Sequence, residues 1–332
     1  MTFNQQVELL EQRGVKFDDK KAAEHTLRNF SYYGLVNGYR DFFILPKAGP
    51  TEEDNFNGCS FNDLVLMYDF DKKLGSILIS YLLKIECSLG NVLSYNIAKE
   101  IGFLESEYYD KLKYNKGREF RDGAGVIIEY QIDKTFRHLD ETRKSDYSQP
   151  IKHYREEHLN IPPWILIPEL DFGKTIYFYD LCKAKEKILV TDDFLFDDRK
   201  ANPDDRKELF KSCLLICADY RNTIAHGSRV INHVPDNKPL FRNSLFKYIN
   251  TNVYDEKMYD SGIGKEGIIS LLISMNIIFS KMQTNRLGFI SEITSHFNKF
   301  KIEHNDLYSR ISKKIKIPDH LTDFLYNLVD KP

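Results

Sequence analysis

The feature that most constrains this chain is a helical apolar spacing that begins after Ser60 and holds as far as Val92. Leu64, Met67, Tyr68, Leu74, Leu78, Tyr81, Leu82, Ile85, Leu89 and Val92 recur at the three- and four-residue intervals of a helix face. Ser60 and Asp63 supply an S-x-x-D cap signal at its start. The pattern predicts one long helix, or two in line, around which the other segments must arrange their own apolar faces.

Those other segments are also mostly helical. Residues 3–13 and 19–30 read as short helices, the first closed by Gly14. The stretch YYGLVNGYRDFFILPKAGP carries too many glycines and aromatics for a regular helix and reads as an irregular aromatic platform. Residues 105–160 hold helical segments of mixed charge. Pro162 and Pro163 then interrupt before an apolar helix running from Trp164 toward Leu181.

Between Lys183 and Asp205 the residues Asp192, Asp193, Asp197, Asp198, Asp204 and Asp205 read as an acidic connector. Asp204 or Asp205 can cap the next helix, roughly 204–226, which stops at Gly227. Residues 232–263 are rich in Asn, Asp, Pro and Gly and read as loop, a candidate mobile cover. Helical spacing returns in 265–285, 287–300 and 319–329, separated by a Lys-rich stretch. With no internal repeat and little strand signal, the fold class is mainly α, organised as residues 1–160 and 161–332 of one composite domain.

Composition narrows the functional classes. Among 332 residues, 47 Lys and Arg stand against 49 Asp and Glu, so any phosphate-binding surface must come from local clustering. Cys59, Cys87, Cys182, Cys213 and Cys217 form no CxxC pair and read as free thiols, with no metal site implied. The opening MTFNQQVELLEQRG lacks a signal-peptide pattern, so a cytoplasmic protein is expected. Ile268–Phe279 is interrupted by Asn276 and is too short for a membrane span, which leaves a buried helix and no membrane partner.

The segment DYRNTIAHG holds the candidate chemistry. No other histidine has an arginine five to seven positions before it. That spacing alone is expected by chance about once in a chain of this size, but Asn222 and Gly227 tighten it. Cleavage of RNA by its own 2′-hydroxyl needs a base, an acid and a cation facing the phosphate. Histidine transfers protons near neutral pH, and the arginine fork bonds two phosphate oxygens at once. Asn222 and His226 share a helix face, whereas Arg221 lies about 140° round from His226 on a regular helix. The bland alternative pairs Arg221 with an acid such as Asp219 and leaves His226 as a C-terminal cap.

The motif sits in a larger pattern. NFSYYGLVNGYRDFF, CSFNDLVLMYDFDKKL, KIECSLGNVLSYNIA, HYREEHLNIPPWILIPELDFGKTIYFY and CADYRNTIAHGSRV follow one another in an order that resembles the Abi-D/Abi-F family of abortive-infection proteins. The resemblance spans most of the chain. It implies a HEPN-type helical bundle with additional helical and loop segments, and a metal-independent endoribonuclease, a toxin of phage defence, that uses no cofactor.

Carried over by residue, Arg221 and His226 match the catalytic positions, Asn222 the polar position beside the arginine, and Glu86 the acid of the long helix. Gly75 and Gly90 stand where arginine is expected, which puts basic RNA contacts from that helix in doubt. HEPN domains of this type also look like those of RNA-guided, RNA-cleaving CRISPR effectors. That likeness implies a structured small RNA that binds or restrains the protein; a protein antitoxin is the alternative restraint.

Other residues carry weaker signals. Lys111, Lys113, Lys116, Arg118 and Arg121 form one basic cluster and Lys313, Lys314 and Lys316 another, each a candidate RNA contact or a solvated face. Tyr32, Tyr33 and Tyr39 can stack on bases or pack in the core. Trp164 reads as a core tryptophan sooner than an interface anchor. His153 and His158, five apart, should point to different sides of a helix. An acid in an apolar helix should be paired, and Arg221 is a reasonable partner for Glu86.

The rival class is a non-catalytic RNA-binding or protein-binding module. A nucleotide transferase is disfavoured, since no Gly-Ser and paired-Asp signature occurs. Because one motif offers one histidine for two proton transfers, a homodimer is expected, with 265–285 and Ile224 as contact surfaces.

Overall fold

The computed structural model describes residues 1–46, 49, 53–197, 201–236 and 240–329. Asp198 of the acidic connector, and parts of the aromatic segment and of 232–263, lie outside the described residues. The architecture is mainly α, as the spacing predicted.

Helices α1 (Phe3–Gln12) and α2 (Lys20–Phe30) pair at the N-terminus, and Gly14 holds the left-handed backbone between them at φ +86°. The aromatic segment is irregular, but through wide and tight helical turns: Tyr33–Asn37 forms a π turn and Arg40–Phe42 a 3-10 turn. The long pattern then folds as a single helix, α3 (Phe61–Glu100). Its start is fixed reciprocally: Ser60 Oγ accepts from Asn62 N at 3.2 Å, and Asp63 Oδ2 accepts from Ser60 N at 2.9 Å. By length and composition α3 could cross a membrane, with a mean hydropathy of 1.3 over its best window. Its apolar face instead packs inside the protein.

A short α4 (Glu105–Tyr108) is followed by a feature the sequence did not signal, an antiparallel hairpin of β1 (Glu119–Arg121) and β2 (Ile127–Tyr130). Asp122 Oδ1 accepts from Ala124 N and Val126 N at 2.9 Å and so closes its turn. Next come α5 (Gln131–Lys144), α6 (Gln149–His153) and α7 (Pro163–Leu166). The expected helix from Trp164 to Leu181 is broken: a 3-10 turn over Ile167–Glu169 ends α7, and Asp171 caps a new helix, α8 (Phe172–Leu181). Pro168, which cannot donate a helix bond, sits at the break.

The acidic connector is largely a helix, α9 (Ala184–Phe194), because Val190, Thr191 and Phe194 give it a buried face that its charges obscured. The motif helix α10 spans Pro203–Ala225. Asn202 caps it, and Asp205 returns a bond to the Asn202 amide, so the acid acts from inside the first turn.

The described residues of 232–263 are not plain loop. They contain α11 (Arg242–Tyr248) and α12 (Glu256–Asp260), and they bury Leu240, Leu245, Tyr248, Tyr254 and Tyr259. Tyr259 Oη donates to Leu240 O at 2.7 Å, and Tyr254 Oη to Ile263 O, so the aromatic hydroxyls pin a segment whose polar composition suggested solvent.

The C-terminal part comprises α13 (Gly267–Ile278), α14 (Gln283–Glu303), α15 (Asn305–Ile315) and α16 (Leu321–Asn327). Every residue of Ile268–Ile278 is buried, so this helix is unavailable as a dimer surface. Asn276 explains its own presence there: it donates to Leu325 O at 2.5 Å and accepts from Arg286 Nε at 2.6 Å. Two helices organise the core. α3 meets α7, α9, α10 and α14, and α10 meets α3, α8, α9, α11 and α13.

Candidate functional site

The candidate chemistry lies where the C-terminal half of α10 passes α3. Gly75 makes the approach possible: a Cβ there would stand 3.3 Å from Val230 Cγ2 and 3.6 Å from Ile224 Cγ2. Gly90 likewise admits the backbone of Pro168, at 3.4 Å from a Cβ. The two positions that lack the expected arginines are therefore helix contacts, and a long side chain at either would have to displace its neighbour.

Arg221 leaves α10 toward α3, where its Nε donates to Glu86 Oε2 at 2.9 Å. Its Nη1 reaches Asn222 Oδ1 at 3.5 Å. The Arg221 side chain is 28% exposed and that of Glu86 17%, so the pair is largely shielded but not sealed from solvent. Asp219, the partner considered from sequence, instead contacts His233 Nε2 at 2.5 Å.

Asn222 and His226 do share a face. Both line a cleft of about 430 Å³ between α8 and α10, with Gly173, Tyr177, Asp219 and His233 around them. His226 is the C-cap of α10, with an exposed side chain; its backbone amide continues the helix to Asn222 O at 3.0 Å. Among the described residues, no side-chain hydrogen bond engages its ring. Gly227 then turns the chain at φ +68°, and Lys72 Nζ donates to its carbonyl at 2.5 Å, placing a cation on the negative end of the helix.

The segment after the motif is held by a residue that sequence reasoning missed. Asp71, fully buried on α3, accepts from Tyr39 Oη at 2.7 Å, from Ile231 N at 2.7 Å and from Val230 N at 3.1 Å. Burial raises its pKa above the usual carboxylate range, and these hydrogen bonds oppose the rise. Arg229 donates to the carbonyls of Gly38 and Asn37, which ties the same segment to the aromatic turns. His233 was also missed. Its Nε2 meets both Asp219 Oδ1 and Thr223 Oγ1, the latter at 3.2 Å, and its ring packs edge-on against Tyr220.

The remaining candidates fall elsewhere. Lys111 pairs with Asp133 at 2.6 Å, Lys113 donates to Ile101 O, and Lys116 and Arg118 lie over the rings of Tyr130 and Phe120. Arg121 pairs with Glu119 two residues before it on the same strand. Lys313 and Lys314 are exposed in the last turn of α15, not between helices, and Lys316 donates to Ser261 O. None of them lines the cleft holding His226.

Tyr39 is buried, Tyr32 is half-buried and Tyr33 is exposed. Trp164 is half exposed beside Phe103, contrary to a core position. His153 and His158 come together, with ring centroids 5.2 Å apart, because Tyr154–His158 is a π turn whose wider pitch realigns residues five apart. Among the described residues, no three His, Cys, Asp or Glu side chains gather as a metal site.

Fold and site together define a mainly α-helical protein whose candidate chemistry is set at the junction of two long helices. The chain belongs to the Abi-like protein family, whose model matches residues 25–232. The match runs from α2 through α3 and α10 to the segment held by Asp71, and it points to abortive infection, a phage-defence response. No significant match to a curated protein or to a solved structure was found.

Proposed function

We propose that this protein is a metal-independent endoribonuclease of the HEPN type that acts as a toxin in abortive infection. The observation that carries the reading is the Glu86–Arg221 ion pair, which holds a guanidinium on the helix that ends, one turn later, in the open ring of His226. Glu86 restricts the rotamers of Arg221, and the unpaired edge of the fork is left for a phosphate. His226 removes the proton from a 2′-hydroxyl, whose oxygen then attacks the adjacent phosphorus. The 5′-oxygen leaves with a proton from a general acid, giving a 2′,3′-cyclic phosphate and a free 5′-hydroxyl.

Among the described residues lining this cleft, His226 is the one open histidine for these two transfers, since the Nε2 of His233 is committed to Asp219 and Thr223. A homodimer that joins two Arg221–His226 pairs supplies the second. Such a toxin works in the cytoplasm and needs a restraint, either a structured small RNA or a protein antitoxin.

Purified protein incubated with RNA in a chelator should yield cyclic phosphate ends, and Arg221→Ala or His226→Ala should abolish them. Cleavage that needs a divalent ion, or that persists on a 2′-deoxy substrate, would overturn the mechanism. Tight RNA binding without cleavage, with toxicity unchanged in Arg221→Ala, would favour a binding module instead. Sequencing the RNA that copurifies with His226→Ala would distinguish a defined restraining RNA from cellular fragments.

A further inference from the structure

A second and larger cleft, of about 800 Å³, opens on the other side of the motif. Thr223, Ser228 and His233 line both it and the cleft of His226, so the two are neighbours along one rim. Its lining combines aromatic faces with cations: Phe30, Tyr33 and Tyr68, then Lys72 and Arg229, with the Asn232 amide beside them.

The aromatic side rests on a packed backbone turn and a braced tyrosine. Tyr33 is 73% exposed, yet it stands at the start of the π turn whose Leu35 and Val36 are buried. Tyr68 is braced by the ring of Phe30 at 5.0 Å and by the edge of Tyr39 at 6.2 Å. On the cationic side, Lys72 lies over the Tyr68 ring at 5.4 Å and retains donors beyond the one given to Gly227. The one carboxylate in the lining, Asp41, is near Arg40 at 3.7 Å.

An exposed aromatic ring lining one cleft with two cations and an amide matches the parts of one nucleotide: a base face, a phosphate and a base edge. A base inside a duplex has both faces covered by its neighbours and cannot meet Tyr33. We infer that this cleft is the subsite for the unpaired nucleotide flanking the scissile phosphate, with the base on Tyr33 and Phe30 and its phosphate on Lys72 and Arg229. This rests on the ribonuclease reading of the adjoining His226, and it names the substrate as single-stranded RNA.

The test uses the full chain carrying His226→Ala, titrated against a short single-stranded oligoribonucleotide containing 2-aminopurine, whose fluorescence falls on stacking. Adding Tyr33→Ala should weaken binding about tenfold and remove the quench, whereas Tyr33→Phe should retain both. A blunt duplex of the same sequence should bind without quenching. In the His226 protein, Tyr33→Ala should raise KM by a similar factor with kcat little changed.

Equal affinity and quenching for Tyr33→Ala and Tyr33→Phe would overturn the subsite even if cleavage is intact. Tyr33-dependent quenching in a protein that never cleaves would keep the subsite and remove the ribonuclease reading. Absence of binding to any RNA would remove both. Because Tyr33 is solvent-exposed, a thermal melt should show all variants folded alike.

Discussion

Arg221 of the motif helix and Glu86 of the longest helix, separated by most of the match to the family, meet at 2.9 Å. Neither side chain alone would define a direction: the arginine has many rotamers, and the acid stands next to the buried Ile85 of α3. Together they aim the guanidinium at a fixed place beside the end of α10.

Glu86→Gln tests that relationship. The amide keeps an acceptor for Arg221 but removes the charge, so kcat for RNA cleavage should fall about tenfold or more with KM little changed, as for a loosened phosphate contact. Thermal stability should drop by only about 1 kcal/mol, because the guanidinium still reaches water. Measuring kcat, KM and the melting curve together separates positioning from folding: a large loss of stability with kcat intact per folded molecule would make the pair structural only.

The composite-site proposal is decided by a covalently tethered dimer in which one half carries Arg221→Ala and His226→Ala. Independent sites retain about half the rate. A shared site loses about a hundredfold or more, as for removal of an acid-base group. Half the rate would assign the second proton transfer to a group within one chain, and His233→Asn would then be the variant to examine.

Asp71→Ala should be among the most damaging substitutions in the protein. It leaves the Tyr39 hydroxyl and the Val230 and Ile231 amides without their acceptor, at about 1–3 kcal/mol for each buried group left unsatisfied. Chemical denaturation should show a loss of several kcal/mol, and hydrogen exchange should rise first at residues 228–233. Unchanged exchange there would mean that the segment is held by other contacts.

His296 should make stability depend on pH. Its ring stacks on Phe70 with centroids 4.4 Å apart, and its Nε2 lies 3.0 Å from Phe70 O. Burial, with Lys73 and Lys299 nearby, lowers its pKa below the ordinary 6.5, although the contact with Phe70 O opposes the shift. The unfolded chain therefore takes up this proton first. The contribution is complete above about pH 6.5 and is lost as pH falls through the lowered folded value. In His296→Gln the fall in denaturation midpoint between pH 7 and pH 5 should be shallower, and an identical slope would remove the assignment.

Much of this was legible in the residues because the signals were local. Ser60 with Asp63, and Gly227 after Ala225, fix helix ends within a few positions, so the start of α3 and both ends of α10 could be read closely, whereas α3 continues past the apolar spacing from Val92 to Glu100. The Glu86–Arg221 contact could be anticipated because an acid among the apolar residues of a helix demands a partner. Where a surface appearance hid a buried face, the reading failed. The acids of α9 masked Val190 and Phe194, and the asparagines of 232–263 masked tyrosines whose hydroxyls bond carbonyls elsewhere in the same segment.

Asp71 gave no signal at all. Its partners are a tyrosine and two main-chain amides from distant parts of the chain, brought to it by tertiary packing such as that of Gly75 against Ile224 and Val230. The rings of His153 and His158 meet because of a π turn, which no residue type encodes.

One consequence of the unbroken α3 remains. Asp71, which fastens the chain beyond the motif, and Glu86, which aims the arginine within it, stand on the same helix. They are about 22 Å apart along its axis and about 60° apart around it, by the rise and rotation of an α-helix. The helix thus works as a fixed gauge with two marks, one for each flank of the motif. A change that bends or rotates this rod between the marks would spoil the alignment of Arg221 and His226 without touching either residue.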